Sequence, residues 1–208
     1  MSSPAQTSPP SPAADPGFDP LVFWMKHQRT VLLLVGLFVA ALLIYFISEF
    51  AKVKKLEAAA HSLAGAKDTT GLRKVATDYA GTAAGGNAQL LLADKLRQEG
   101  KPDEAVTTLR AFIDKYPDHP LISGGWTSLA ASLEAQGKQD EALSAYQKVS
   151  TTYATSFSAP VALLGQARIF KAKGKADEAR RLYDQLVNQY PETMFAQQAR
   201  RESRELKK

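Results

Sequence analysis

A six-residue phrase returns three times in this chain at a step of 37 residues. Gly100-Lys101-Pro102-Asp103-Glu104-Ala105 is followed by Gly137-Lys138-Gln139-Asp140-Glu141-Ala142 and by Gly174-Lys175-Ala176-Asp177-Glu178-Ala179. Tyr116, Tyr153 and Tyr190 keep the same step, and so do Ala93, Ala130 and Ala167. Two further registers hold large apolar residues: Leu109, Tyr146 and Tyr183 in one, Phe112, Val149 and Leu186 in the other. A period of this length marks a supersecondary unit that is copied and stacked, because one unit cannot bury its apolar face alone.

Each unit reads as a helical hairpin. Leu92, Ala93 and Leu96 recur as Leu129, Ala130 and Leu133, and then as Gln166, Ala167 and Phe170. The spacing i, i+1, i+4 puts them on one face of a helix. The glycine ends that helix, since it takes the left-handed conformation without strain. The Asp-Glu pair opens the next helix and sets negative charge at its positive end. Pro117 and Pro191 are expected to stop the second helix, and the turn at Ala154, which has no proline, is expected to be looser. Tyr79 and Leu72 lie one period before Tyr116 and Leu109, so residues 49–85 read as a linker helix through Leu56 and Leu63 and a degenerate first unit, with a second helix over 70–79. Gly81 to Gly86 reads as a flexible break, 86–193 as three full repeats, and 194–208 as a capping helix with a basic end. The fold expected is all-α: a transmembrane helix followed by a solenoid of hairpins.

These registers resemble the tetratricopeptide repeat. That family wants small residues at Ala93, Ala130 and Ala167, glycine and alanine within the recurring phrase, a large apolar residue at Leu109, Tyr146 and Tyr183, and proline at Pro117 and Pro191. The resemblance implies that the first helix of each hairpin lines a concave face that binds polypeptides. It places Asn87, Leu90, Asp94 and Arg97 of the first repeat on that face, with Thr127, Ala131 and Glu134 of the second and Leu164, Arg168 and Lys171 of the third. The family's clamp for acidic C-terminal tails needs Lys and Asn where Leu90 and Asp94 stand, so that ligand is not expected. Trp126, the large residue early in the second unit, is expected in the core.

The N-terminal part follows different rules. Residues 1–20 hold six of the eleven prolines and little to bury, so they read as a disordered linker. Residues 21–29 mix Phe23 and Trp24 with Lys26 and Arg29, which suits a membrane interface. Residues 30–48 carry no charge. As a helix they span about 29 Å, the thickness of a hydrocarbon core. A cleaved signal peptide is the rival, but the preceding region is long and proline-rich and no small-x-small site follows. The reading is an uncleaved single-span anchor. Two cations, Lys26 and Arg29, stand before the span and three, Lys52, Lys54 and Lys55, behind it, so charge alone sets no orientation.

Tail, span and small repeat domain in this order are similar to the YfgM-type ancillary subunits of the bacterial Sec translocon. That resemblance implies a single-pass protein of the bacterial inner membrane, repeats in the periplasm, with the Sec translocon and periplasmic chaperones as partners. The tyrosine-proline repeat ends are also like periplasmic repeat proteins of outer-membrane assembly and cell-division coordination. A self-associating structural membrane protein, a homo-oligomer, is the alternative class. No catalytic, cofactor or metal residues are expected. The chain has no cysteine, its three histidines (His27, His61 and His119) sit in separate segments, and it has no phosphate-binding loop or nucleophile motif. Net charge is +5, and the basic end at Arg200, Arg201, Arg204, Lys207 and Lys208 reads as the last turn of a helix complementing its dipole, not as a nucleic-acid site.

Overall fold

The structure is a computed structural model that describes residues 20–206. Among them the secondary structure is helical throughout: α1 (Pro20–Gly65), α2 (Thr69–Asp78), α3 (Ala83–Gln98), α4 (Pro102–Lys115), α5 (Ile122–Ala135), α6 (Gln139–Thr152), α7 (Ala159–Ala172), α8 (Ala176–Gln189) and α9 (Met194–Glu205). The expected tail falls almost wholly outside the described residues. The chain divides into two compact units, Met1–Val53 and Lys54–Lys208.

In the first unit the described residues are one stretch of α1, and its large side chains from Leu32 to Ile47 are exposed. This helix holds a segment long and apolar enough to cross a membrane.

The second unit is the repeat array. α3 with α4, α5 with α6, and α7 with α8 are the three hairpins, and each helix packs on the next in chain order up to α9. The hinge of each hairpin is built as the recurring glycine requires. Gly100, Gly137 and Gly174 have φ of +74°, +74° and +72°. After each, the lysine N–H reaches back to the first helix, Lys101 to the Leu96 carbonyl at 2.8 Å, Lys138 to Leu133 at 2.9 Å and Lys175 to Phe170 at 2.9 Å. These bonds satisfy carbonyls that a helix end leaves orphaned. The buried registers then mesh: Ala105, Ala130, Ala142, Ala167 and Ala179 are fully buried, as are Phe112, Val149 and Leu186.

The Asp-Glu pairs do more than cap helices. Arg73 reaches Glu104 at 3.2 Å and Arg110 reaches Glu141 at 2.7 Å, from the preceding second helix. From the other side Gln136 donates to Asp103 at 3.1 Å, and Lys173 pairs with Asp140. Each of the first two pairs is thus braced by both neighbouring units.

Three local expectations are corrected. The stretch Gly81–Gly86 is not a break: Thr82 caps α3, its hydroxyl accepting from the Gly85 N–H at 3.1 Å, and residues 83–86 are helical. Glycine is needed there because a Cβ on Gly85 would lie 2.3 Å from the Tyr79 carbonyl oxygen. Proline does not set the length of the second helices. α4, α6 and α8 all have 14 residues, although only α4 and α8 are followed by proline. All three end on a tyrosine whose N–H closes the last turn, and two of these rings tie back to the preceding inter-repeat turn. The Gly81 N–H donates to the Tyr116 hydroxyl at 3.1 Å, and the Tyr190 hydroxyl donates to the Ala154 carbonyl at 2.6 Å. Trp126 is not fully buried; it flanks the core and lines an outer crevice with Arg110, Leu129, Leu133 and Glu141.

Gly165 offers a test of this packing. Helix propensity alone favours Gly165→Ala by about 1 kcal/mol. The added Cβ, however, would stand 2.5 Å from the Tyr146 ring. We expect a net loss of about 1–3 kcal/mol, measured by chemical denaturation. At Gly124, where the new Cβ meets Phe157 at an ordinary 3.5 Å, the same change should be neutral or stabilising.

Candidate functional site: the groove of the first helices

α3, α5, α7 and α9 are consecutive first helices of the array, and three equivalent joints lie between them. Each joint has a floor residue from the second helix of the earlier unit: Leu109, Tyr146 or Tyr183. Each has a residue near the end of the earlier first helix: Arg97, Glu134 or Lys171. Each has one from the next first helix: Ala131, Arg168 or Glu205. One period separates successive members of each set, so the differences between joints are differences of side chain in a constant frame.

The α3/α5 joint is open. A cavity of about 180 Å³ is lined by Leu90, Ala93, Asp94, Arg97, Leu109, Ser128, Ala131 and Ser132. Small residues on α5 leave the space, and Leu109 gives it an apolar floor. Among the described residues Arg97 finds no acid across the joint, and it pairs with Asp94 on its own helix.

The α5/α7 joint is plugged. Arg168 donates from Nε to Glu134 at 2.7 Å and from a terminal nitrogen to the other carboxylate oxygen at 2.6 Å. The Tyr146 hydroxyl donates to Glu134 at 3.1 Å. The Glu134 side chain is only 20% exposed, so this two-pronged pair is partly withdrawn from water and stronger than a surface pair. The carboxylate raises the Arg168 pKa further, and burial, then the Glu134 charge, raises that of Tyr146. Both groups keep their protons throughout the physiological range.

The α7/α9 joint is open again, with a cavity of about 400 Å³ lined by Leu164, Arg168, Lys171, Ala172, Tyr183, Gln198 and Glu202. Lys171 pairs with Glu202 at 2.7 Å and Glu205 at 3.6 Å.

The residues expected on the binding face therefore divide. Leu90, Asp94 and Arg97 line one cavity, and Leu164, Arg168 and Lys171 line the other. Three expectations change in detail. Leu164 is 7% exposed and belongs to the core, forming cavity wall rather than open face. Glu134 and Arg168 are spent on each other, because the register brings the end of α5 beside the middle of α7. Thr127 donates its hydroxyl to the Ser123 carbonyl of its own helix at 2.9 Å and lines neither cavity. Asn87 is half-buried, and its Oδ1 has no hydrogen-bond partner among the described residues. Tyr146, Tyr183, Gln198 and Glu202 were not singled out for this face; only superposing the three joints shows them. His119 is structural, with its Nδ1 accepting from the Leu121 N–H at 3.1 Å and its ring packed on Phe112.

A family model described as "Tetratricopeptide repeat-like domain" matches residues 22–201. A search of curated protein sequences finds no match. Among solved structures, nearly identical TPR-like repeats from Podosopora anserina superpose with a TM-score of 0.56 at 20% identity, covering 74% of this chain and 83% of that one. BtubC from P. vanneervenii gives 0.51 at 18% identity, covering 70% and 61%. YrrB, described as a TPR protein with an unusual peptide-binding site, gives 0.50 at 17% identity, covering 64% of each. At these identities the likeness is one of fold, and it agrees with the hairpin array. On the family match across most of its length, the chain belongs to the tetratricopeptide repeat-like domain family.

Proposed function

We propose that the protein is a membrane-anchored scaffold that holds polypeptide partners in the groove of its first helices, without catalytic turnover. One observation carries the reading: two open cavities lie in the same repeat frame, on either side of a joint that the chain plugs with its own side chains. A groove with pockets at a fixed interval is suited to a ligand that itself repeats, which is a polypeptide. The peptide-binding site named for YrrB, which shares the fold, supports the same choice. α1 supports the anchor. The resemblance to YfgM-type subunits supports a single pass through a bacterial inner membrane, repeats in the periplasm, and the Sec translocon and periplasmic chaperones as partners. Asn87, Leu90, Asp94, Arg97, Glu134, Leu164, Arg168 and Lys171 form or border the proposed contact surface, with Thr127 at its margin.

In-cell photocrosslinking tests the groove. A photoreactive residue at Ala131, which is exposed and lines the α3/α5 cavity, should give discrete adducts with translocon or chaperone subunits. The same residue at Arg181, exposed on α8, should give none. Ala131→Trp, which fills the cavity without entering the core, should remove at least nine-tenths of the capture seen from position 97. Equal adducts from 131 and 181, or full capture by Ala131→Trp, would refute the groove.

A further inference from the structure

The three floor residues differ in how their polar atoms are satisfied. Leu109 has none. Tyr146 gives its hydroxyl to Glu134. Tyr183 is 2% exposed, yet its hydroxyl makes no hydrogen bond among the described residues. That hydroxyl is not a buried unpaired atom: it opens onto the solvent of a cavity, and a ligand that displaced this solvent without pairing it would forfeit about 1–3 kcal/mol. The cavity is the one of about 400 Å³ between α7 and α9, which Tyr183 lines.

The cause is a reversal of charge. Where Glu134 stands at the α5/α7 joint, Lys171 stands at the α7/α9 joint, and an ammonium accepts no hydrogen bond. Where Arg168 stands, Glu205 stands. The acid–base pair is rebuilt in the opposite order, with Lys171 held by Glu202 and Glu205, and the phenol is left facing the cavity. Burial, then the Glu202 charge, raises the Tyr183 pKa, so the hydroxyl remains a donor.

The surroundings narrow what completes it. Leu164 and Ala172 give an apolar wall, and Glu202 gives an acceptor beside the donor. A ligand carboxylate would accept from Tyr183 but would meet Glu202 and Glu205. An ammonium or guanidinium would be repelled by Lys171 and Arg168, which line the same cavity. An aliphatic group would leave the phenol unpaired. A carboxamide accepts through its oxygen, donates through its nitrogen and has a short apolar stem. We propose that the α7/α9 cavity is a pocket for an asparagine or glutamine side chain of the polypeptide held in the groove. This rests on the groove reading above and adds the residue class that the groove selects.

The test pans a display library of random linear peptides against the full-length protein in detergent micelles, as wild type, Tyr183→Phe and Ala131→Trp. Tyr183→Phe removes a hydroxyl that bonds to nothing among the described residues and that faces the open cavity, so its melting temperature should match that of wild type. Peptides enriched on wild type should share Asn or Gln at one aligned position. By fluorescence polarisation, changing that residue to Leu or Glu should weaken binding to wild type about tenfold, the effect of one lost buried hydrogen bond. The difference should vanish in Tyr183→Phe. Three outcomes overturn the pocket alone: peptides that Ala131→Trp excludes but that share no amide position, an amide preference that survives in Tyr183→Phe, or a Tyr183→Phe protein that melts lower. Enrichment of no peptide, or peptides that bind Ala131→Trp equally well, overturns the groove and the pocket together.

Discussion

Ala130→Arg should leave the repeat unit unfolded at ambient temperature. Ala130 is fully buried in α5, within the cluster formed by Leu92, Ala93, Leu109, Leu133 and Tyr146. An arginine there must force neighbouring helices apart or bury a guanidinium without a partner. Burying an unpaired charge costs on the order of 5 kcal/mol or more, comparable with the whole stability of a small domain. Far-ultraviolet circular dichroism of a soluble fragment beginning at Lys54 would lose its cooperative melt, while Ala131→Arg, one residue away on the exposed side, should melt like wild type. A native melt for Ala130→Arg would mean that the register assigned to the first helices is wrong.

Phe112→Ala should be the most costly truncation in the array. The ring is fully buried, stacks on Tyr116 at 5.6 Å and meets His119 edge-on at 5.2 Å. It also occupies the space that a side chain at Gly125 would need, since a Cβ there would lie 2.5 Å from it. α5 therefore has nothing at that point with which to fill the void. A loss of about 3–5 kcal/mol is expected, or roughly 6–20 °C in melting temperature. The turn that His119 and Tyr116 hold between α4 and α5 should loosen with it, and amide exchange at Gly81 and Leu121, whose N–H groups bond to those two rings, would report this. Unchanged exchange at both amides would refute the link between ring and turn.

How much of this was legible in the sequence depends on the range of the interaction. The hinge within each hairpin was legible because it is set within a few residues: the glycine and the acidic pair act on their own turn, whereas the end of the second helix was assigned to proline and lies at a tyrosine. Most of the core was legible for the same reason, since period and face are properties of one helix; Trp126, expected in it, and Leu164, expected on the open face, are the exceptions. Cross-joint pairing was not. Glu134 and Arg168 are 34 residues apart, and each alone looks like a solvated charge on a helix face. Only the packing of α5 beside α7 shows that they saturate each other. The glycines at 85 and 86 misled in the opposite sense. Composition suggests a loop there, but the close approach of the Tyr79 carbonyl and the His119 ring requires residues without side chains inside a helix. The Tyr183 hydroxyl, which has no hydrogen-bond partner among the described residues, is visible only by contrast with Tyr146.

The braces on the Asp-Glu pairs bear on how such an array can change over evolutionary time. Arg73 meets Glu104 as Arg110 meets Glu141, and Asp103 meets Gln136 as Asp140 meets Lys173. One period could be excised or duplicated, and the severed edges would find the same kind of partner on the other side. The groups that differ between joints, at the registers of Arg97, Ala131 and Leu109, line the α3/α5 cavity and take no part in those braces. Length and ligand preference can therefore drift separately: copying a unit extends the groove by one joint, and a few substitutions on its inner face then decide whether that joint is open or plugged.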